Sequence, residues 1–323
     1  MKIALDECRM LSLVAQVLVG FLFRACFEPR FDALPESEAY VVLGGLGLML
    51  IALGLIVAPS AYHRIVMRGE DSRRAHAVTT RFLDLALLPF ALGLGVNLEV
   101  AFAAVLGRGA GIVAGVAAAG AALAAWYGVP LACRRGCAAP PEEIVQERQP
   151  TPVGKKIEQA LTEARTVLPG AQALLGFQFI TVLMRGFERL PASAKEAHLA
   201  SLAAVAVAVV FLMLPAAFHR IVERGEDTER FHAVAGACVL VAMAWLALGL
   251  AGDTFVVALK VTASAPVSIG AGAAVLALYG GLWFGYTLAA RAAATRGSRP
   301  APGEERERGA GPAEAWPAPS AGA

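Results

Sequence analysis

The segment His63–Asp71 reads His-Arg-Ile-Val-Met-Arg-Gly-Glu-Asp, and it recurs 156 positions later as His-Arg-Ile-Val-Glu-Arg-Gly-Glu-Asp in His219–Asp227. Over 16 residues, 63–78 and 219–234, the two copies are identical at 12 positions. Each copy lies between two long apolar runs. A polar segment that recurs at a fixed offset between apolar runs predicts a tandem duplication in a membrane protein.

The composition supports a membrane protein rather than a soluble one. Of the 323 residues 57% are hydrophobic and 17% are charged, and the mean hydropathy is +0.61. A soluble chain of this length carries about 25% charged residues. The net charge is +2, and the charges form short clusters between apolar runs. We therefore expect the lipid bilayer as a partner and do not expect nucleic acid.

A helix that crosses a membrane needs about 20 mostly apolar residues. The sequence predicts an all-α polytopic membrane protein with eight transmembrane helices. They are Met10–Phe27, Ala39–Tyr62, Thr80–Val96, Gly109–Cys133, Val167–Met184, His198–Phe218, Val234–Gly252 and Pro266–Ala290.

The duplication divides these helices into two repeats of four. At the same offset Gln16 aligns with Gln172, Pro59 with Pro215 and Asn97 with Asp253. Because each repeat has an even number of helices, both enter from the same side, and a pseudo-two-fold axis along the membrane normal relates them as parallel repeats. The predicted domains are a first repeat at 1–133, a cytosolic linker at 134–159, a second repeat at 160–292 and a disordered Pro/Ala/Gly-rich tail at 293–323.

Lysine and arginine predict the orientation, because cytoplasmic loops of membrane proteins carry an excess of both. With the amino terminus inside, 21 of these residues lie inside and six outside. We therefore expect a multi-pass protein of the bacterial inner membrane with both termini in the cytoplasm. The first apolar run is expected to be a retained helix and not a signal peptide, since its counterpart lies in mid-chain.

The repeated segment has the features of a tight turn between two antiparallel helices. Gly69 and Gly225 are expected to adopt positive φ just after a helix, while Asp71 or Ser72 caps the next helix. Arg64 and Arg220 would lie in the last turn of a helix, where its dipole favours a cation.

Helix caps and charge bias do not account for the histidines of this segment. In an antiparallel hairpin His63 and His76 stand at similar height, and so do His219 and His232. Each pair is a candidate proton or metal site, against the alternative of separate interfacial histidines bonded to water or headgroups.

Two further sets of polar residues are candidate functional positions. Ion pairs are expected where the first helix of each repeat begins, as Glu7 with Arg9 and Glu163 with Arg165. Gln16 and Gln172 lie one or two turns into the bilayer, where an amide either bonds to another helix or lines a pathway.

No catalytic signature is present, so no enzyme, cofactor or metal site is predicted. The sequence contains no phosphate loop, G-x-S-x-G or HExxH motif. Asp253 is expected at the outer end of a helix, so no carboxylate falls clearly at mid-membrane.

GxxxG patterns at Gly111–Gly115 and Gly281–Gly285 indicate close helix contacts, either within the chain or in a homo-oligomer.

Two motifs of the second repeat resemble those of a known family. Glu163–Gln172 reads E-x-R-x-x-x-P-G-x-Q, and Pro215–Arg220 reads P-A-x-F-H-R. These motifs resemble the small bacterial four-helix membrane proteins of domain-of-unknown-function family 6328. The resemblance covers nearly all of both repeats and implies their fold, but almost nothing about activity. The first repeat departs from it, with Leu13-Val14 where Pro169-Gly170 stand.

The sequence therefore favours a non-enzymatic membrane protein whose cytoplasmic hairpins organise it or bind partners. The alternative is a small-ion transporter, similar to a cation/proton antiporter, with a path between the repeats near Gln16, Gln172, His63 and His219. A hydrated cavity that reaches the glutamines would favour transport, and a dry, closed bundle would favour the first hypothesis.

Overall fold

A computed structural model describes residues 2–70, 73–134, 151–224 and 226–297, and for residues 2–9 it describes the backbone alone. The described part of the first repeat has four long helices, α1 (Lys2–Ala25), α2 (Glu36–Ile65), α3 (Arg73–Leu106) and α4 (Arg108–Leu123). A π-helical turn at Ala124–Gly128 joins α4 to the short α5 (Val129–Arg134).

The second repeat follows the same plan. It comprises α6 (Val153–Val182), the single-turn α7 (Arg185–Glu188), α8 (Ala192–Ile221), α9 (Glu229–Thr262) and α10 (Ala265–Tyr279). A π-helical segment, Gly280–Gly285, again interrupts the last long helix and leads into α11 (Tyr286–Gly297). The described residues contain no strand.

The described chain contains six helices that are long and apolar enough to cross a membrane. They are Glu36–Ile65, Arg74–Leu106, Arg108–Cys133, Ala192–Ile221, Glu229–Thr262 and Ala265–Arg296. The other two predicted spans fall on α1, whose apolar part is only Met10–Ala25, and on α6, which carries several charged residues in its first half. The apolar helices make this a membrane protein, with six candidate spans rather than the predicted eight.

Helices α1 and α6 pack side by side at the junction of the two repeats. Gly170 lies against Gln16, Gly20 lies against the ring of Phe177, and Phe177 is also 4.4 Å from the ring of Phe21. Residue numbers rise together on both helices, so α1 and α6 run in the same direction. This is the arrangement expected of parallel repeats.

Small residues allow α3 and α4 to approach closely. A Cβ atom on Gly115 would lie 2.8 Å from the carbonyl oxygen of Gly95, and one on Gly111 would lie 2.6 Å from that of Glu99. The first GxxxG pattern therefore serves a contact within the chain. Gly281 of the second pattern is exposed and has open space in front of it.

Several predicted boundaries are too short, because helices continue through polar residues where the backbone bonding is undisturbed. Helix α6 begins at Val153, so the end of the predicted linker 134–159 is helical and belongs to α6. Helix α9 runs ten residues beyond the predicted end at Gly252, and α11 reaches Gly297, inside the predicted tail. The rest of the linker and of the tail lies outside the described residues.

The turn between α2 and α3 contains two residues in the left-handed backbone conformation. Gly69 has a φ of +81°, as predicted, but α2 ends four residues earlier at Ile65, and Arg68 also has a positive φ of 51°. Arg224 has the same φ in the second copy, where Gly225 lies outside the described residues. Asp71 and Ser72 are also outside them, but Thr228, the counterpart of Ser72, caps α9 by accepting a hydrogen bond from the Phe231 amide at 3.0 Å.

Candidate functional site

A buried ion pair joins the two repeats. Glu163 of α6 is completely buried, and its carboxylate contacts two residues from the end of α2. His63 Nδ1 donates to Glu163 Oε1 at 2.6 Å, and Arg64 Nε donates to Glu163 Oε2. Arg64 Nη1 also donates to His232 Nε2 of α9 at 3.2 Å. We call these four residues, His63, Arg64, Glu163 and His232, the inter-repeat cluster.

Local sequence explains how these side chains meet. His63 and Arg64 lie in the last turn of α2, where the helix dipole favours a cation. Arg64 reaches Glu163 by passing over Gly236 of α9, where a Cβ atom would lie 3.4 Å from Arg64 Cδ. The glycine thus leaves room for the arginine stem between α9 and α6.

The hydrogen bonds assign the protonation of both histidines. An ionised carboxylate only accepts hydrogen bonds, so His63 carries its proton on Nδ1. A guanidinium only donates, so His232 accepts on Nε2 and carries its proton on Nδ1. His232, which accepts from Arg64, is neutral in this arrangement, and the ion pair of the cluster is Arg64 with Glu163. Such pairing is what allows charges to be buried at all.

A second link between the repeats lies beside the cluster, at the turn of the first hairpin. Lys156 Nζ of α6 is 2.7 Å from Glu70 Oε1, and the Thr151 amide donates to Glu70 Oε2 at 3.0 Å. His232 packs against Gly69, where a Cβ atom would lie 2.6 Å from its Nε2. The first hairpin is thus seated on the second repeat.

The Glu70–Lys156 pair predicts a small pH dependence in the acid range. The hydrogen bond from Lys156 holds the pKa of Glu70 below its usual value, and the same bond raises the pKa of Lys156. The stabilisation from Glu70 is present above its unfolded pKa and is lost as the pH falls through its lower folded pKa. Between about pH 6 and pH 3, Lys156→Met should therefore flatten the decline of the unfolding midpoint. A decline as steep as in wild type would contradict this. Arg165→Met, which removes an exposed cation from the same helix, is the control.

The corresponding residues of the other hairpin are less buried. His219 Nε2 is 3.8 Å from Asp227 Oδ1, and its ring lies 4.7 Å from that of Phe231. Arg220, the counterpart of Arg64, is exposed, and so is His76, the counterpart of His232. The side chains of Glu7 and Arg9 lie outside the described residues.

Two predicted pairings are replaced by contacts between the repeats. His63 is buried against Glu163 while His76 is exposed, so the first predicted histidine pair does not form. Glu163 pairs with Arg64 and not with Arg165, which is exposed, because positions two apart on a helix point to different sides. His232 likewise bonds to Arg64 across the repeats.

The two aligned glutamines have different surroundings. Gln16 is 1% exposed and packs against Gly170, and neither atom of its amide has a hydrogen-bond partner. Gln172 is exposed. The difference follows from the sequence, since Gly170 makes room for Gln16, whereas the corresponding position facing Gln172 is Val14.

A second buried polar group was not predicted from the sequence. Gln178 of α6, His198 of α8 and Asp253 of α9 are each 3% exposed and lie together. The predicted helices ended at Gly252 and began at His198, which placed both ionisable residues at helix ends. The sequence did contain one signal of this group, because the apolar run that includes Asp253 continues past it and so places the carboxylate inside the helix.

This second group lines a small cavity at the junction of the repeats. The cavity has a volume of about 10 Å³, and Phe23 and Phe27 of α1 contribute apolar walls to it. That volume suffices for about one water molecule. Of the described residues, no three or more His, Cys, Asp or Glu are placed to hold a metal ion.

The apolar helices, the two-part plan and the buried ionic group define a helical membrane protein. The chain belongs to the family of unknown function DUF6328, whose model matches residues 2–130 and again residues 146–287. Two successive matches to one family agree with the predicted tandem duplication. No curated protein and no solved structure matches the chain.

Proposed function

We propose that the protein is a non-enzymatic component of the bacterial inner membrane, in which eight helices span the bilayer as two parallel repeats. The six apolar spans are joined in this arrangement by α1 and α6, which pack against each other at the centre. Protein neighbours would shield the polar positions of these two helices from lipid. The charge bias of the loops supports cytoplasmic termini.

The first hairpin acts as a clamp between the repeats. This conclusion rests on one observation, the burial of Glu163 of the second repeat between His63 and Arg64 of the first. A hairpin that served a partner protein would keep such groups accessible. The repeated polar motif of the first hairpin is used within the chain, and the hairpin of the second repeat, with the exposed Arg220, remains as the surface for a partner.

A second candidate function is transport of a small ion along the junction of the repeats. Buried polar residues follow one face of α6, and Glu163 and Gln178 on that face are about 22 Å apart along the helix axis at roughly 1.5 Å per residue. Gln16 of α1 lies between them, against Gly170. Ionisable groups inside a membrane bundle are typical of ion pathways.

Flux measurements distinguish the two functions. The full chain is reconstituted in proteoliposomes that contain a pH dye or a sodium dye. The clamp function predicts no flux above that of protein-free vesicles. A flux that Gln16→Leu abolishes, while Gln172→Leu at the exposed counterpart leaves it intact, would replace the clamp function with transport.

A further inference from the structure

Gln178, His198 and Asp253 form a buried group in which a neutral His198 ring and an ionised Asp253 carboxylate would leave no hydrogen-bond donor between His198 Nδ1 and Asp253 Oδ1. Gln178 Nε2 donates to Asp253 Oδ2 at 2.6 Å. His198 Nε2 is 3.1 Å from the backbone carbonyl oxygen of Gln178. His198 Nδ1 faces Asp253 Oδ1 at 3.3 Å. All three side chains are nine-tenths buried or more.

The backbone carbonyl decides which nitrogen of His198 carries a proton. A carbonyl oxygen can only accept, so Nε2 must donate to it. In a neutral ring Nδ1 then bears a lone pair. That lone pair would face Asp253 Oδ1, which is also only an acceptor when the carboxyl group is ionised.

Two acceptors that face each other in a buried site repel each other, and the low dielectric of the interior strengthens that repulsion. One added proton removes the conflict, whether it makes His198 an imidazolium or Asp253 a carboxylic acid. In both forms a hydrogen lies between Nδ1 and Oδ1. We propose that His198 and Asp253 form a buried proton-binding site that holds one proton at neutral pH.

The surrounding groups offer no other source of positive charge. Lys260, further along α9, is bonded to Asp32 at 2.5 Å. Lys195, at the start of α8, donates to the carbonyl oxygen of Glu188 at 2.7 Å. Within the described ranges, Asp253 has contacts only with Gln178 and His198 among polar side chains. The proton must therefore balance the carboxylate.

Two oxygen atoms of the site lie next to the small cavity without a hydrogen-bond partner. Asp253 Oδ1 and Gln178 Oε1 are both buried without a hydrogen-bond partner, and both residues line the cavity. One water molecule in the cavity could contact these oxygens. A metal cation in the cavity would compete for the same nitrogen and oxygen atoms, which are 3.3 Å apart, and the comparison of sodium with choline described below distinguishes it from a proton.

The site belongs to the second repeat alone. The first repeat has Leu22, Val42 and Asn97 at the positions of Gln178, His198 and Asp253. Asn97 donates to the carbonyl oxygen of Gly93 on its own helix at 2.7 Å. One copy therefore carries two ionisable groups where the other carries none, so the fold of a repeat does not by itself require them.

The test uses the full chain in lipid nanodiscs, labelled with ¹⁵N in the histidine rings. At about pH 8 an isolated histidine is neutral and an isolated aspartate is ionised, since their ordinary pKa values are about 6.5 and 3.9. The proposal expects one of two signals in the wild type. Either both ring nitrogens of His198 are protonated in NMR spectra, or infrared spectra show the C=O stretch of a protonated carboxyl group.

Two substitutions assign the signal. Asp253→Asn and His198→Gln each place an amide donor opposite the remaining partner, so each should abolish the signal without needing the proton. If one of them fails to fold, the other assigns the signal. Asp227→Asn, which removes an exposed carboxylate beside His219, is the matched control and should leave the signal unchanged.

Two results would overturn the proposal. The first is a wild-type protein at about pH 8 with a neutral His198 and no protonated carboxyl group, since isolated groups behave in this way. The second is release of the proton when sodium replaces choline in the buffer, because the ligand would then be a metal cation. The expected result is a signal that is the same in sodium, potassium and choline, whether or not the protein carries ions.

Discussion

Replacing Arg64 with leucine is expected to lower the free energy of unfolding by about 3–5 kcal/mol, the usual consequence of removing one partner of a buried ion pair. Glu163 is completely buried, and Arg64 is the only cation that contacts it in the described part of the chain. Without Arg64 the carboxylate keeps one hydrogen bond, from His63. The protein would have to bury an uncompensated charge or protonate the carboxyl group.

The duplication provides a matched control for this prediction. Arg220→Leu makes the same change at the exposed counterpart and should shift the unfolding free energy by less than about 0.5 kcal/mol. Thermal or denaturant unfolding of the full chain in detergent measures both variants. Equal effects of Arg64→Leu and Arg220→Leu would show that the inter-repeat cluster does not hold the repeats together.

A double variant separates the pair itself from the charge left behind. Arg64→Leu with Glu163→Leu removes the cation and the anion together, and apolar residues in place of a buried ion pair are often neutral in stability. The double variant should therefore recover most of the stability lost in Arg64→Leu. A double variant as unstable as the single one would locate the loss in the packing of the arginine stem over Gly236.

Adding a methyl group at Gly170 is the second change with a large expected effect. A Cβ atom there would overlap the side chain of Gln16, including its own Cβ atom at 2.5 Å, so rotating the amide away does not make room. Helices α1 and α6 would have to move apart. Overpacking of this kind costs about 1–3 kcal/mol, and we expect Gly170→Ala to destabilise by that amount.

Gly176, on the same helix, is the control for helix propensity. It is exposed and nothing lies within 4 Å of a Cβ atom there, so Gly176→Ala should be neutral or stabilising by up to about 1 kcal/mol. Combining Gly170→Ala with Gln16→Gly should recover part of the lost stability, because it removes the overlapping side chain, its Cβ atom included, and an unpartnered buried amide. Additive losses in that double variant would mean that the two residues do not contact each other.

The helices and the duplication were accessible from the sequence because both leave local or periodic signals. The long apolar runs predicted most of the helices, and the repeated His63–Asp71 segment predicted the turn with a positive φ at Gly69. The predicted ends were less accurate, since a polar residue such as Asp253 can stay inside a helix when another helix supplies its hydrogen bonds. Extending α9 past Gly252 would have revealed the second buried group.

The candidate site depends on information that no single repeat contains. Glu163 and Arg165 are neighbours in sequence, yet Glu163 is bonded to Arg64, 99 positions away. The prediction of paired histidines within each hairpin failed for the same reason, because it assumed that each repeat contains all the residues of its own site. Contacts from the end of α2 to α6 and α9 of the other repeat decide instead which side chains meet.

The sequence by itself determined a duplicated, helical membrane protein with a polar turn in each half, because apolar length and repeat spacing are properties of the chain alone. The tertiary structure alone decided that the two copies of the turn differ, since Arg64 is buried against the other repeat and Arg220 is exposed. Gly170 admits Gln16 on one side of the α1–α6 contact, whereas Val14 stands at the equivalent position on the other. The two copies of the turn are nearly identical in sequence but have different surroundings, and of Arg64 and Arg220 only Arg64 is buried.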